Sequence, residues 1–250
     1  IAIILRLFRS RLHVAARSMN IPADNSSNAN NRPFLLEESL PTKDPFKLFD
    51  VWKKQVTDVL PFEEANGVSF STVSEDGRPS CRMVLLKSYD EDGFVFNTNY
   101  TSRKGTQLSG NPNAAMLFYW PRFHRQIRVE GVVDRLAEDA AIAHWNSRPV
   151  SSRIAGIASA QSTVIPDRQY LEHRQRELEQ EVTTQGEVAA AKPPTWGALI
   201  LRPRYFEFWQ GQTNRLHDRI CFSTERPDTD SADFVRPSDR PGWHMFRLAS

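Results

Sequence analysis

The segment FEFWQGQTNRLHDR, residues 206–219, gathers aromatic, cationic and imidazole side chains within fourteen positions. Phe206, Phe208 and Trp209 end an alternating strand, and a polar turn, GQTN, leads into Arg-Leu-His-Asp-Arg. Arg215, His217 and Arg219 alternate, so on an extended backbone they share one face. Two guanidiniums and an imidazole there suit an anionic, planar ligand, and Trp209 could border a flat ring. The competing reading is a surface charge cluster in which Asp218 neutralises an arginine. A histidine met alone is more often structural than catalytic.

Cations also recur at the ends of other β segments. Arg82 and Lys87 flank MVLL, Arg103 and Lys104 follow the Thr-Ser of a loop, and Arg148 and Arg153 bracket a Ser-rich turn. A buried arginine needs anionic partners, and a bound phosphate would supply several of them. Taken singly, each cation is better explained by a local carboxylate on a solvated face. Taken together they are harder to dismiss, although spacing alone does not identify the ligand. Arg82 and Lys87 are five apart, so a regular strand would aim them at opposite faces. Either a bulge intervenes or they serve different ligands.

Other chemistries find little support. GxSxG, P-loop, GxGxxG and catalytic-cysteine signatures are missing, which disfavours hydrolase triads and nucleotide-dependent kinases. The 32 Lys plus Arg against 30 Asp plus Glu leave a formal charge of +2, too near zero for a broad nucleic-acid-binding surface. The six histidines are scattered and the only cysteines are Cys81 and Cys221, so neither a zinc-type ligand set nor a disulfide framework is expected. A reducing compartment is the default. No apolar run reaches the roughly 18 residues a membrane span needs. The sequons at Asn25 and Asn99 read as chance matches without a secretory signal.

These side chains need a scaffold, and the pattern is mainly β. With 40% apolar and 25% charged residues, the chain is long enough to bury a core. Asp44-Pro45 is a helix start, and Phe49, Trp52, Val56 and Val59 form one apolar face before Pro61. Residues 68–73, SCRMVLLKSY and FVFNTN are strands separated by the Asp-Gly turns EDGR and DEDG. AAMLFYW (114–120) pairs with QIRVEGVVDRL (126–136), in which polar Gln126, Arg128 and Glu130 alternate with Ile127 and Val129. WGALILR, YFEFWQ, DRICFST and WHMFRLA complete roughly nine strands, which favours an antiparallel barrel or sandwich. Helices are expected over 137–146 and 166–182, the second with Glu172 and Arg176 as an i,i+4 pair.

The first residue is Ile, which suggests a fragment or a processed end. The opening twenty residues carry Arg6, Arg9, Arg11 and Arg17, and no acid occurs before Asp24. That is the make-up of a mitochondrial presequence; a short surface helix or an upstream stretch translated in error is the alternative. Residues 20–33 are Asn/Ser/Pro-rich and read as a linker. The expectation is a targeting or disordered segment over 1–33, a folded domain over 34–250, and a cytoplasmic or mitochondrial location.

The motifs CRMVLLK, NTNYTSRKG, RQIRVEG, SRPVSS, QSTVIPDRQYL and FEFWQGQTNRLHDR resemble the pyridoxamine 5′-phosphate oxidase family over about residues 40–250. The resemblance implies an antiparallel FMN-binding split β-barrel with flanking helices, a C-terminal dimerisation region, and a homodimer with FMN at the subunit interface. It implies a cofactor set of Arg82, Met83, Val84, Leu85, Leu86, Lys87, Asn97, Thr98, Arg103, Lys104, Gln126, Gln161, Ser162, Trp209 and Arg219. The implied substrate set is Lys87, His144, Arg148, Ser152, Arg215, Leu216 and His217, with Arg215 and His217 positioning the reacting carbon. No metal is implied.

The implied reaction is oxidation of pyridoxamine or pyridoxine 5′-phosphate by O2, through FMN, to pyridoxal 5′-phosphate and H2O2, with NH3 from the amine. The chain departs from the family pattern in having His144 where Tyr is usual, in ending Arg-Leu-Ala-Ser rather than Arg-Leu-Ala-Pro, and in lacking a visible N-terminal basic-aromatic motif. Two rival readings are a sister flavin oxidase with another substrate and a catalytically silent FMN- or pyridoxal-phosphate-binding protein.

Overall fold

The computed structural model describes residues 33–250. The segment expected over 1–33 lies, apart from Pro33, outside the described residues. Helix α1 (Pro45–Thr57) starts where the sequence places it: the Asp44 carboxylate accepts from the Phe46 and Lys47 N–H groups, and Pro45 occupies the first turn. Leu48, Phe49, Trp52 and Val56 are buried along one face. Val59, expected on that face, lies past the end of the helix and is 38% exposed. Phe49 meets Phe94 and Phe118 edge-on, and Trp52 meets Phe208 in the same way. Each such large apolar side chain contributes about 1.5–3 kcal/mol on burial.

Then follow α2 (Phe62–Asn66), β1 (Gly67–Val73), β2 (Pro79–Leu85), β3 (Ser88–Tyr89), β4 (Phe94–Asn99), α3 (Arg103–Gly110), β5 (Asn113–Trp120), β6 (Arg125–Arg135), α4 (Glu138–Asn146), α5 (Val150–Ala158), α6 (Arg168–Gln185), β7 (Trp196–Gln210), β8 (Asp218–Ser223), β9 (Val235–Pro237) and β10 (His244–Arg247). Every pairing among the ten strands is antiparallel; eight follow the order β2-β1-β5-β6-β7-β8-β10-β9, and off this path β4 pairs with β7 and β3 with β4. One edge of β7 pairs with β6 along its length; the other divides, with β4 on residues 196–201 and β8 on 205–210. This division of one sheet into two arms is the split-barrel arrangement, and the aromatic core lies inside it.

Four expectations need correction. The segments WGALILR and YFEFWQ are one fifteen-residue strand, β7. It runs through Pro203 because Pro203 sits at a register shift opposite Gly131, where a missing N–H breaks no ladder. A Cβ at Gly131 would come 1.9 Å from the Arg202 carbonyl, so the close approach requires glycine. Secondly, the Ser-rich turn expected between Arg148 and Arg153 is the start of helix α5, whereas Arg103 and Lys104 do follow a Thr-Ser loop and there open α3. Thirdly, Glu172 is engaged one turn back by Arg168, at 2.8 Å, not forward by Arg176. Fourthly, residues 211–217 are a loop in which Arg215 takes φ 64°, so Arg215, His217 and Arg219 do not alternate on an extended chain.

Candidate active site

Arg82 lies on β2 and reaches back across β1. Its Nη1 donates to the Phe70 carbonyl at 3.0 Å, the Thr72 hydroxyl at 2.6 Å and the Ser80 carbonyl at 3.2 Å. Close by, Ser102 caps α3 by accepting from the Gly105 N–H. That cap seats Lys104 beneath the end of β4, where its ammonium donates to the Thr98 hydroxyl at 3.0 Å and the Gln161 side-chain oxygen at 2.9 Å. Burial, reinforced by the Arg82 charge, lowers the Lys104 pKa to about 8. Burial also lowers Arg82, with Arg103 adding repulsion. A cleft of about 450 Å³ opens beside them, lined by Arg103, Thr106, Gln107 and Ser162 among others. Among the described residues none of these three cations has a carboxylate partner. Glu75 lines the same cleft without pairing to any of the three; three unpaired cations among hydroxyls and amides could hold a bound anion.

Lys87 belongs to a second cluster. β2 ends at Leu85; the Leu86 N–H then bonds the Asn66 carbonyl and the Lys87 N–H bonds Val95 on β4. The strand therefore stops between Arg82 and Lys87, so the parity conflict has a cause other than a bulge. Lys87 is lowered by desolvation and then by Arg148. His144, on α4, is lowered by burial, Lys87 and Arg148. Its ring lies 2° from parallel to Trp196. Arg148 stacks over Trp145 and Trp196, and its Nη2 donates to the Ser152 carbonyl at 2.9 Å. Its Nη1 is buried without a partner, as is Asn97 Nδ2 on β4. A Cβ at Gly156 would come 3.3 Å from Arg148 Nη1, so α5 leaves room for the guanidinium by carrying glycine there.

A third group stands at the other end of β7. His217 packs on Trp209 with ring centroids 4.9 Å apart, and the Gln212 N–H donates to its Nδ1. Gln126 lies opposite Trp209 on β6, and Arg219 opposite it on β8. Arg219 already holds a carboxylate: its Nε and Nη2 donate to Glu207 at 2.9 and 3.1 Å, and its Nη1 to the Ala249 carbonyl. Arg215 and Leu216 are exposed at the loop tip, Leu216 by 70%. Met83, at 67%, and Leu85 are also exposed, whereas Val84 is half-buried and Leu86 buried.

Trp196 and Trp209 are thirteen residues apart on one strand, a path of roughly 40 Å at about 3.3 Å per residue. The structure thus brings Arg82, Thr98, Arg103, Lys104, Gln161 and Ser162 together, and Lys87, His144, Arg148 and Ser152 beside them; Asn97 precedes Thr98 on β4 but alternates to its other face. Gln126, Trp209, Arg215, His217 and Arg219 form a separate group near the far end. Thr72, Gln107 and Trp196 were missed by sequence reading. The alternation of β1 beside Arg82 was the available signal for Thr72.

Residues 53–181 match the family model described as pyridoxamine 5′-phosphate oxidase, and residues 196–250 match that of the pyridoxine 5′-phosphate oxidase C-terminal dimerisation region. The chain belongs to the pyridoxamine 5′-phosphate oxidase family. A Caenorhabditis elegans relative is 58% identical over 77% of this chain and 86% of its own length. A Bos taurus pyridoxine-5′-phosphate oxidase is 50% identical over 74% of this chain and 70% of its own. In structure, this oxidase-family chain resembles PhzG from Burkholderia lata, solved with tetrahydrophenazine-1-carboxylic acid, at a TM-score of 0.73 and 28% identity over 89% of this chain and all of that one. Among the described residues no helix is long and apolar enough to cross a membrane, and no group of three or more His, Cys, Asp or Glu is placed to hold a metal.

Proposed function

We propose that this chain, as a homodimer, oxidises pyridoxamine and pyridoxine 5′-phosphates with O2 to pyridoxal 5′-phosphate and H2O2, water supplying the aldehyde oxygen and displacing NH3 on the amine route, in vitamin B6 salvage. The observation that carries this reading is the pair of cation clusters without carboxylate partners, which suit two phosphorylated ligands side by side. FMN fits the first: Arg82, Arg103 and Lys104 would hold its phosphate with Thr98, Gln161 and Ser162, and the unpaired Asn97 amide would meet a polar edge of the ring. The backbone of Met83 through Leu86 would line the same cofactor. When bound, FMN supplies the redox centre that accepts a hydride and passes electrons to O2.

The chain's own residues bind and orient. Lys87, Arg148 and Ser152 grip the substrate phosphate, with His144 at the same end. Arg215 and His217, with Leu216 between them, cover the substrate ring, while Gln126, Trp209 and the Glu207-braced Arg219 border the flavin. Because the β7 path separates the last group from the first two, the complete site combines one subunit's cation clusters with the partner's loop. Alignment of two bound rings can lower a barrier by about 7–11 kcal/mol at best, so no strong general base is required. The likeness to PhzG favours one second reading, a sister oxidase acting on another substrate.

The test is an absorption spectrum of the purified protein. A yellow protein that bleaches anaerobically with pyridoxamine 5′-phosphate and recolours in air supports the oxidase. A yellow protein indifferent to both vitamin B6 phosphates supports the sister enzyme, and one that binds them without forming peroxide supports a silent carrier.

A further inference from the structure

The loop that carries His217 is pinned from within. The Gln212 N–H lies 3.0 Å from His217 Nδ1. A backbone N–H can only donate, so Nδ1 must present its lone pair, and the proton of the neutral ring must sit on Nε2. Trp209 packs against the ring, and Gly211 gives the indole its place: a Cβ there would come 2.8 Å from the indole edge.

Gln212 is itself held. Its side chain is buried, and its Nε2 donates to the Asp218 carboxylate at 2.7 Å and the Pro33 carbonyl at 3.3 Å. Asp218 also accepts from the Leu35 N–H at 3.1 Å and from Arg247 at 2.8 Å. Gln210 donates to the same Pro33 carbonyl at 2.7 Å. Arg247 in turn bonds the Leu35 carbonyl and pairs with Glu37. Residues 33–37 therefore lie as a strap across the base of the loop, fastened through side chains of β7, β8, β10 and Gln212.

We propose that Gln212 is a positioning residue: its N–H fixes His217 as the Nε2–H tautomer, and its side chain makes that hold depend on the strap 33–37. His217 then presents a donor, not an acceptor, to the substrate. The role in turnover rests on the oxidase reading; the tautomer does not.

The experiment is 15N NMR of the FMN-loaded protein labelled at histidine, with His217→Asn used to assign the ring. The expected result is an unprotonated Nδ1 and a protonated Nε2 on His217. A proton on Nδ1, or rapid averaging of the two forms, overturns the proposal, and the wild-type spectrum decides this without any variant having to fold. Gln212→Ala is expected to average the tautomers and to raise KM for pyridoxine 5′-phosphate about fivefold to tenfold, the scale of one lost hydrogen bond, with kcat less affected and FMN retained. An unchanged tautomer and KM in Gln212→Ala overturn the part assigned to the side chain. Wild-type protein that shows the Nε2–H ring but makes no peroxide refutes the oxidase reading and leaves the tautomer assignment supported.

Discussion

Lys104 donates to the side-chain oxygen of Gln161 at 2.9 Å, and among the described residues no carboxylate pairs with it. Its pKa of about 8 sets a direction for stability. Below about pH 8 the ammonium is charged in both the folded and the unfolded chain, so the folded chain carries the full burial cost. Between about 8 and the ordinary lysine value of 10.5 only the folded chain has released the proton, so stability without cofactor rises with pH. A bound phosphate reverses the preference and keeps the proton. FMN affinity is therefore expected to fall above about pH 8, by at most about tenfold per unit. Lys104→Met is expected to weaken FMN binding, to remove that pH dependence and to leave the cofactor-free chain at least as stable. Fluorescence titration of FMN and a thermal melt check all three.

His144 faces Lys87 and Arg148 across the second cluster, and burial together with those two charges disfavours its protonation. A substrate phosphate offsets that repulsion, so substrate binding is coupled to proton uptake at His144 under acidic conditions. KM for pyridoxine 5′-phosphate is expected to decrease with falling pH more in the wild type than in His144→Tyr. The phosphate's own titration is common to both proteins and cancels in the comparison. Steady-state kinetics across the acidic range supply the measurement.

Glu207 accepts from Arg128 at 2.7 Å and from Arg219 at 2.9 and 3.1 Å. Burial pushes its carboxyl up, but the bonds from Arg219 and Arg128 outweigh that and hold it below the ordinary value. Glu207→Gln is expected to cost about 2–3 kcal/mol, less than a fully buried pair because both arginines reach solvent. The stabilisation is present above the ordinary carboxylate pKa and disappears as pH falls through the lowered one. Urea unfolding at neutral pH should therefore show the full difference, and unfolding at strongly acidic pH almost none.

Local signals located much of the fold. Asp44 and Pro45 announce α1, and the two Asp-Gly turns mark the connections that flank β2 and lead into β4, because cap and turn chemistry act over a few residues. Helix α3 was hidden: RKGTQLSG has two glycines and no apolar stripe, and it is anchored by the Ser102 cap and by Gly105 packed under the Tyr100 carbonyl. Helix α5 looked like a turn because SRPVSS is rich in turn formers, whereas the Ile154 and Ala158 that bury it come later. The break expected between WGALILR and YFEFWQ is absent because Pro203, which lies between them, sits opposite Gly131 at a register shift. The family motifs located the site residues, but not which of them share a cluster. That grouping depends on where α3, α4 and α5 dock, and on the length of β7.

That length is why the site is assigned to two subunits, and a mixing experiment tests it most directly. Lys104→Met disables one subunit's cation cluster, and Arg215→Ala disables the loop at the far end of β7. Each variant alone should be inactive or nearly so, with Arg215→Ala still binding FMN. When the two are unfolded, mixed in equal amounts and refolded, half the dimers should be mixed, and each mixed dimer should contain one intact site. Recovery of about a quarter of wild-type activity is the expected result. No recovery, with mixed dimers shown to be present, would mean that each site is completed within a single chain and would contradict the account.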